Sequence, residues 1–219
     1  MGTIIAIEKQ KRRRRAFVYL EDAPPLDLRL DVIAAAGLRP GMAIGLVRAA
    51  ELVAEDQRLS ASDAALRLLA AGPRSRKDLR LRLTRRGFSR EAVDAAIERM
   101  QQLGYLDDAA FARFFVETRQ AATPRSKRAL TFELTSRGVS REHIEAAFDG
   151  HSDAEAAYEA ARRRFRALHG LDYRTFERRL GGFLAARGFG YGVARATVQR
   201  CWTELREQAD AIHDAGASQ

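Results

Sequence analysis

Apolar and polar positions recur along this chain in a phrase that returns three times. Leucines stand eight and four residues ahead of three glycines: Leu79 and Leu83 before Gly87, Leu130 and Leu134 before Gly138, Leu180 and Leu184 before Gly188. An apolar residue follows each glycine (Phe88, Val139, Phe189), and another stands ten residues on (Ile97, Phe148, Val198). Spacings of four place side chains on one helical face, so each phrase is a packing unit with its own apolar stripe. The glycines lie 51 and 50 residues apart. A constant period of that length marks a tandem repeat.

Each repeat is predicted to hold three helices, punctuated by glycine stops and serine or aspartate starts. In the first they run from about Ala61 to Ala71, from after Ser75 to Gly87, and from Ser89 to Gly104. In the second they run from Asp108 to Ala122, Ser126 to Arg137 and Ser140 to Phe148. The third opens on the capping-box pattern Ser152-Asp153-Ala154-Glu155. Its first helix ends at Leu168, its second is capped by Asp172 and ends at Gly188, and its last runs from Tyr191 to Ala211. Ahead of the repeats, β-branched Thr3–Ile7 and Ala16–Leu20 predict a hairpin. Pro24-Pro25 is read as the break after it, Leu26–Leu30 as a third strand, and 31–36 and 44–57 as helical.

The expected fold is mainly α. It is an elongated tandem array of three three-helix repeats (59–106, 107–150, 151–213), with a small N-terminal β-hairpin-containing α+β appendage (1–58) and a polar, disordered tail (214–219). Units this small cannot bury their stripes alone, but neighbouring repeats can cover them.

Charge sharpens the picture. Among 219 residues, 31% are charged and the formal net charge is +9. This favours an acidic partner: nucleic acid, an acidic protein groove or an anionic surface. The basic residues gather on the second helix of each repeat. They are Arg76, Lys77, Arg80, Arg82, Arg85 and Arg86 in the first, Arg125, Lys127, Arg128 and Arg137 in the second, and Arg178, Arg179 and Arg187 in the third. Repeats stacked in register would align them into a stripe that tracks a polymer of negative charge. The competing reading has each arginine lie over its neighbour and pair with acids of the third helix, such as Asp94 and Glu145. A further run, Lys11, Arg12, Arg13, Arg14 and Arg15, sits at the expected hairpin tip. It either grips phosphate or keeps the edge strands from pairing with other chains. The aromatics, among them Phe88, Phe111, Phe114, Phe148, Phe165, Phe183, Phe189 and Trp202, lie on or beside the apolar stripes and read as core rather than as a base-stacking platform.

Catalytic chemistry is missing from the pattern. His143, His151, His169 and His213 are scattered without metal-ligand spacing. No phosphate-cradling loop or dinucleotide fingerprint occurs. Gly181-Gly182 and the glycines from 188 to 192 follow helix, so they read as permitting close helix contact and a turn. Asp107-Asp108 reads as a helix start rather than a metal site. No enzyme activity, catalytic residue, metal or cofactor is expected. Cys201 is the only cysteine, which suits a reducing compartment. With no apolar run of membrane-spanning length and no signal segment, the expectation is a soluble cytoplasmic monomer.

Three phrases carry a family resemblance: Arg74-Ser75-Arg76-Lys77-Asp78-Leu79-Arg80-Leu81-Arg82-Leu83, then Arg86-Gly87-Phe88, then Leu103-Gly104-Tyr105-Leu106-Asp107-Asp108 with Phe111-Ala112. Together with Arg-Gly-Val at 137 and Arg-Gly-Phe at 187, they resemble the RecX family of recombination regulators over roughly residues 60 to 205. The resemblance implies a non-catalytic cytoplasmic protein that binds RecA. Such a protein lies along the groove of the RecA–DNA filament and limits filament extension, strand exchange and ATP hydrolysis. Two alternatives stand beside it. One is a RecA-independent helical DNA-binding protein contacting single- or double-stranded DNA, and the other is a scaffold that uses its repeats for protein contacts alone. Thr123-Pro124-Arg125 and Gly190-Tyr191-Gly192 depart from the family pattern at two helix junctions.

Overall fold

The computed structural model describes residues 2–217, with side chains through residue 208. The chain divides after Leu106 into two compact units.

The first unit begins with a four-stranded antiparallel sheet. It comprises β1 (Gly2–Lys9), β2 (Arg15–Leu20), β3 (Ala23–Arg29) and β4 (Ala43–Ile44), in the order β3-β2-β1-β4. The expected hairpin is present, with Ile7 opposite Val18 and Glu8 opposite Phe17. Ile4, Val18, Leu20 and Leu28 point from it into the core. Pro24-Pro25 does not end the sheet as expected but lies within β3. An edge strand tolerates proline because its outward N–H groups have no ladder partner to lose. The two-residue β4, paired through Gly2 and Ile44, is too short to announce itself in a hydrophobic pattern.

Short α1 (Leu30–Ala35) leads to α2 (Leu46–Ala70), which runs unbroken through the boundary expected at 58/59. No glycine or proline interrupts it. The Ser62 hydroxyl turns back onto the Arg58 carbonyl and leaves the helical backbone unbroken. One helix therefore serves two cores. Leu52 and Leu59 pack under the sheet. Ala61, Ala64, Ala65 and Leu68 pack against α3 (Arg76–Arg85) and α4 (Arg90–Gln102). Ser75 and Ser89 cap those two helices as read, accepting the N–H groups of Asp78 and Ala92.

The second unit holds α5 (Asp108–Ala122), α6 (Lys127–Ser136) and α7 (Arg141–Ala146), packed on Phe111, Val116, Leu130, Leu134, Ile144 and Phe148. It continues with α8 (Asp153–Phe165), a 3-10 turn over 166–168, α9 (Tyr173–Ala186) and α10 (Tyr191–Ala217). The core of these last elements is built on Phe165, Phe176, Leu180, Leu184, Phe189 and Val198. All six periodic leucines are fully buried, as a stripe of spacing four requires. The last helix passes the stop expected at Ala211, and residues 218 and 219 of the expected tail lie outside the described residues.

Two sequence readings are corrected here. Gly181 and Gly182 stand inside α9, and a side chain built at either meets nothing within 4 Å, so they do not serve close helix contact. Phe114 is half exposed instead of lying in the core.

Candidate functional site

Each second helix turns its leucine face inward, which forces its charged residues outward. On α3 and at its C-cap, Arg76, Lys77, Arg80, Arg82, Arg85 and Arg86 are all exposed. Their surroundings differ. Arg80 is ion-paired with Asp94 of α4, and Arg82 reaches back one turn to Asp78 at 2.9 Å. Asp78 also takes Arg74 at 3.0 Å. Although burial opposes it, hydrogen bonds from Arg82 and Arg74 hold the Asp78 carboxyl below the usual carboxylate range. Among the described residues, the Arg85 and Arg86 side chains make no ion pair or hydrogen bond. Ion pairing within the repeat thus accounts for Arg80 and Arg82 and leaves Arg85 and Arg86 unengaged.

The same split holds in the second unit. Arg125 pairs with Glu133 at 3.1 Å, and Arg119 takes the other oxygen of that carboxylate at 3.2 Å. The Lys127 ammonium sits 5.3 Å from the centre of the Phe148 ring, and the half-buried Arg137 guanidinium lies 4.9 Å from that of Phe115. Arg178 and Arg179 on α9 are exposed and, among the described residues, unpaired.

Part of the expected stripe is brought together where the second repeat meets the third. The start of α6 abuts the end of α9. The Ser126 N–H donates to the Arg187 carbonyl at 3.2 Å, and the Arg128 guanidinium reaches the Gly188 carbonyl at 3.4 Å. Arg187 lies 3.8 Å over the Phe183 ring, and Arg164 lies 5.0 Å from the same ring. Burial, then repulsion from Arg125 and Arg164, lowers the Arg187 pKa from its ordinary value. A guanidinium stays charged at neutral pH even so. An anion would relieve this crowding of like charge.

Two further arginines, from the basic run on the helix before, also stand at this junction. Arg163 spans to the end of α5 and donates to the Ala121 and Ala122 carbonyls at 2.8 Å each. It satisfies carbonyls that a helix end leaves open. Arg164 joins the crowd around Phe183. The run 162–164 is visible in the sequence, but no local spacing ties it to residues forty positions earlier.

Three family models match this arrangement in order. RecX, first three-helix domain, matches residues 61–100, the second three-helix domain 107–147 and the third 152–198. The chain belongs to the RecX family. Regulatory protein RecX of Thermobifida fusca is 38% identical over 148 residues, covering 66% of this chain and 80% of that protein. Its counterpart in Clostridium perfringens is 26% identical over 206 residues, covering 91% and 96%. A crystal structure of regulatory protein RecX superposes with a TM-score of 0.63 at 23% identity, over 88% of this chain and 97% of that one. RecX from Lactobacillus salivarius gives 0.58 at 19%, over 67% and 97%. These two share the fold. RecX-family chains are non-enzymatic regulatory proteins.

The N-terminal sheet lies ahead of the three matched RecX domains. Lys11, Arg12, Arg13 and Arg14 are exposed on the turn between β1 and β2, with Arg12 in the left-handed region at φ 63°. Arg15 is not part of that tip, which corrects the sequence reading. It opens β2, bonds Asp27 at 2.8 Å, and reaches Asp56 of α2 at 3.0 Å. Asp56, almost fully buried, also accepts the Arg29 N–H at 2.7 Å. A hollow of about 560 Å³ beside this network is lined by Arg14, Arg15, Arg29, Arg67, Asp31 and Asp63, so it carries charge of both signs. Among the described residues, no helix is long and apolar enough to cross a membrane, and no three acidic, histidine or cysteine side chains group as metal ligands would.

Proposed function

We propose that this RecX-family chain binds RecA, as the protein or in the groove of its filament on DNA, and limits its ATPase, strand-exchange and recombinase activities. The observation that carries the proposal is the recurrence of exposed, unpaired arginines on second helices of matched RecX domains: Arg85 and its C-cap neighbour Arg86 at the end of α3, Arg178 and Arg179 on α9. A nucleoprotein filament offers a long surface lined by protein and close to phosphate. Unpaired guanidiniums meet it without first breaking an internal ion pair. In this reading Arg76, Lys77, Lys127 and Arg128 add to the contact from the same helices. Arg80, Arg82, Arg125 and Arg137 chiefly support the fold. The protein works in the cytoplasm as a monomer, with no cofactor.

The test is a titration into pre-formed RecA filaments on single-stranded DNA, following ATP hydrolysis. The native protein should suppress hydrolysis at stoichiometric amounts, and a variant with Arg85, Arg86, Arg178 and Arg179 reversed to glutamate should not. Equal suppression by both would move the contact off these arginines. No suppression by either would sink the proposal.

A second reading, direct contact with DNA, draws on the hairpin tip. Lys11 to Arg14 place four adjacent cations on an exposed turn, and among the described residues their side chains make no ion pair. Salt-sensitive retention of duplex or single-stranded DNA without RecA, lost when the four are changed to serine, would favour it.

A further inference from the structure

The third repeat differs from the first two along the seam between its second and third helices. Aligned on the repeat glycines, Arg80 of the first repeat corresponds to Thr131 and Gly181, and Leu81 corresponds to Phe132 and Gly182. On the facing helix, Asp94 corresponds to Glu145 and Arg195. In the first repeat the Arg80–Asp94 ion pair ties the two helices across the seam. In the second, Phe132 stands out from the surface and Glu145 is engaged by Arg141 at 2.7 Å. In the third, both helix positions have lost their side chains and the carboxylate has become a guanidinium.

The result is an open groove of about 800 Å³ between α9 and α10. Its floor is apolar, formed by the buried Phe189, Ala194 and Val198. Arg174, Arg178 and Arg195 rim it, and among the described residues none of the three is ion-paired. Glu177 is the carboxylate in the lining, and Tyr191, 79% exposed, belongs to the lining as well. Adjacent glycines inside a helix weaken it. Here no internal contact accounts for them, because a side chain at Gly181 or Gly182 meets nothing within 4 Å. Their effect is to keep the groove empty.

We infer that this groove is a docking site for an acidic peptide segment that carries an apolar side chain among its carboxylates. The three arginines supply charge complementarity, and bidentate guanidinium–carboxylate pairing gives it direction. The floor takes the apolar anchor, as helix-lined grooves do for short peptide segments. A phosphodiester backbone would satisfy the arginines but leave the floor uncovered. The inference goes beyond the RecA reading and stands without it, since the partner is defined by its chemistry.

The test uses the full chain and a fluorescein-labelled short peptide of aspartate and glutamate with one central leucine, followed by fluorescence anisotropy. Saturable binding is expected. Gly182→Phe, which restores the residue type that the second repeat carries, should weaken it about tenfold or more, the scale of losing one buried apolar side chain. Replacing the peptide's leucine by glycine should do the same. The double variant R178E/R195E, at exposed positions, should abolish binding while the circular dichroism melt stays in place. No saturable binding to the native chain would overturn the inference. So would equal binding by native chain and Gly182→Phe. A labelled oligo-dT that loses affinity on Gly182→Phe while the peptide does not would give the groove to nucleic acid and overturn it as well. The assay contains no RecA, so its failure is distinct from a failure of the filament titration.

Discussion

Gly188 presses on Ser126: a Cβ at position 188 would lie 2.7 Å from the Ser126 Oγ and 2.8 Å from the Cβ of Ala129. The glycine also sits at φ +89°. It thus ends α9 in the left-handed conformation and leaves room for the start of the preceding repeat's second helix. Ser126 is fully buried there, its hydroxyl accepting the Ala129 N–H at 3.1 Å. One small residue joins helix termination to the seam between two repeats.

The equivalent glycine of the first repeat separates those roles. Gly87 has φ +84° but open space where its Cβ would be. Gly87→Ala should cost about 1–2 kcal/mol for the left-handed backbone alone. Gly188→Ala should cost a further ~1–3 kcal/mol, because Ser126 and Ala129 must give way. Urea denaturation of the two variants checks this, and equal losses would refute the packing role of Gly188.

Asp56 should prove to be the anchor between sheet and helix. It is 5% exposed and receives both the Arg29 N–H and the Arg15 guanidinium. Asp56→Ala leaves the Arg29 N–H unsatisfied and strips Arg15 of one of its two carboxylate partners, and should cost about 2–3 kcal/mol. Asp31→Ala, at an exposed pair, should fall within about 1 kcal/mol. Hydrogen exchange at the β1 and β2 amides, compared between the two variants, reads out the difference.

Asp107 should contribute to acid sensitivity. The N–H of Ala110 first, and that of Ala109 with it, hold its carboxyl below the usual carboxylate range, although burial pushes the other way. Because the folded value is depressed, the stabilisation is fully present above the unfolded pKa of about 3.9 and is lost as pH falls through the folded value. Asp107→Asn keeps a capping acceptor but does not titrate. It should therefore show a shallower fall in denaturation midpoint below about pH 4 than the native chain. Parallel curves would exclude Asp107 from the effect.

Cys201 should be inert in the native protein. Burial, with a smaller push from Glu204 and against Arg200, raises its thiol to about 12. The thiolate is the reactive form, so Ellman's reagent at pH 8 should label it only after unfolding in guanidinium. Rapid labelling of the folded chain would contradict the burial.

The sequence by itself determined the repeat, its period, the six leucines that form the cores, and the serine and glycine signals that bound the helices. These are local properties: helical spacing and capping act over a few residues and survive whatever surrounds them. The tertiary structure decided the rest. It carried α2 through the expected boundary at 58/59, because one helix could serve two cores. It kept Pro24-Pro25 in a strand by placing that strand at an edge. It sorted the basic residues as well. Arg15 met Asp56 and Arg80 met Asp94, whereas Arg85, Arg86, Arg178 and Arg179 met no carboxylate among the described residues. Charge is legible in a sequence, but whether a charge is neutralised depends on what another helix or strand brings beside it, and that follows from packing at a distance.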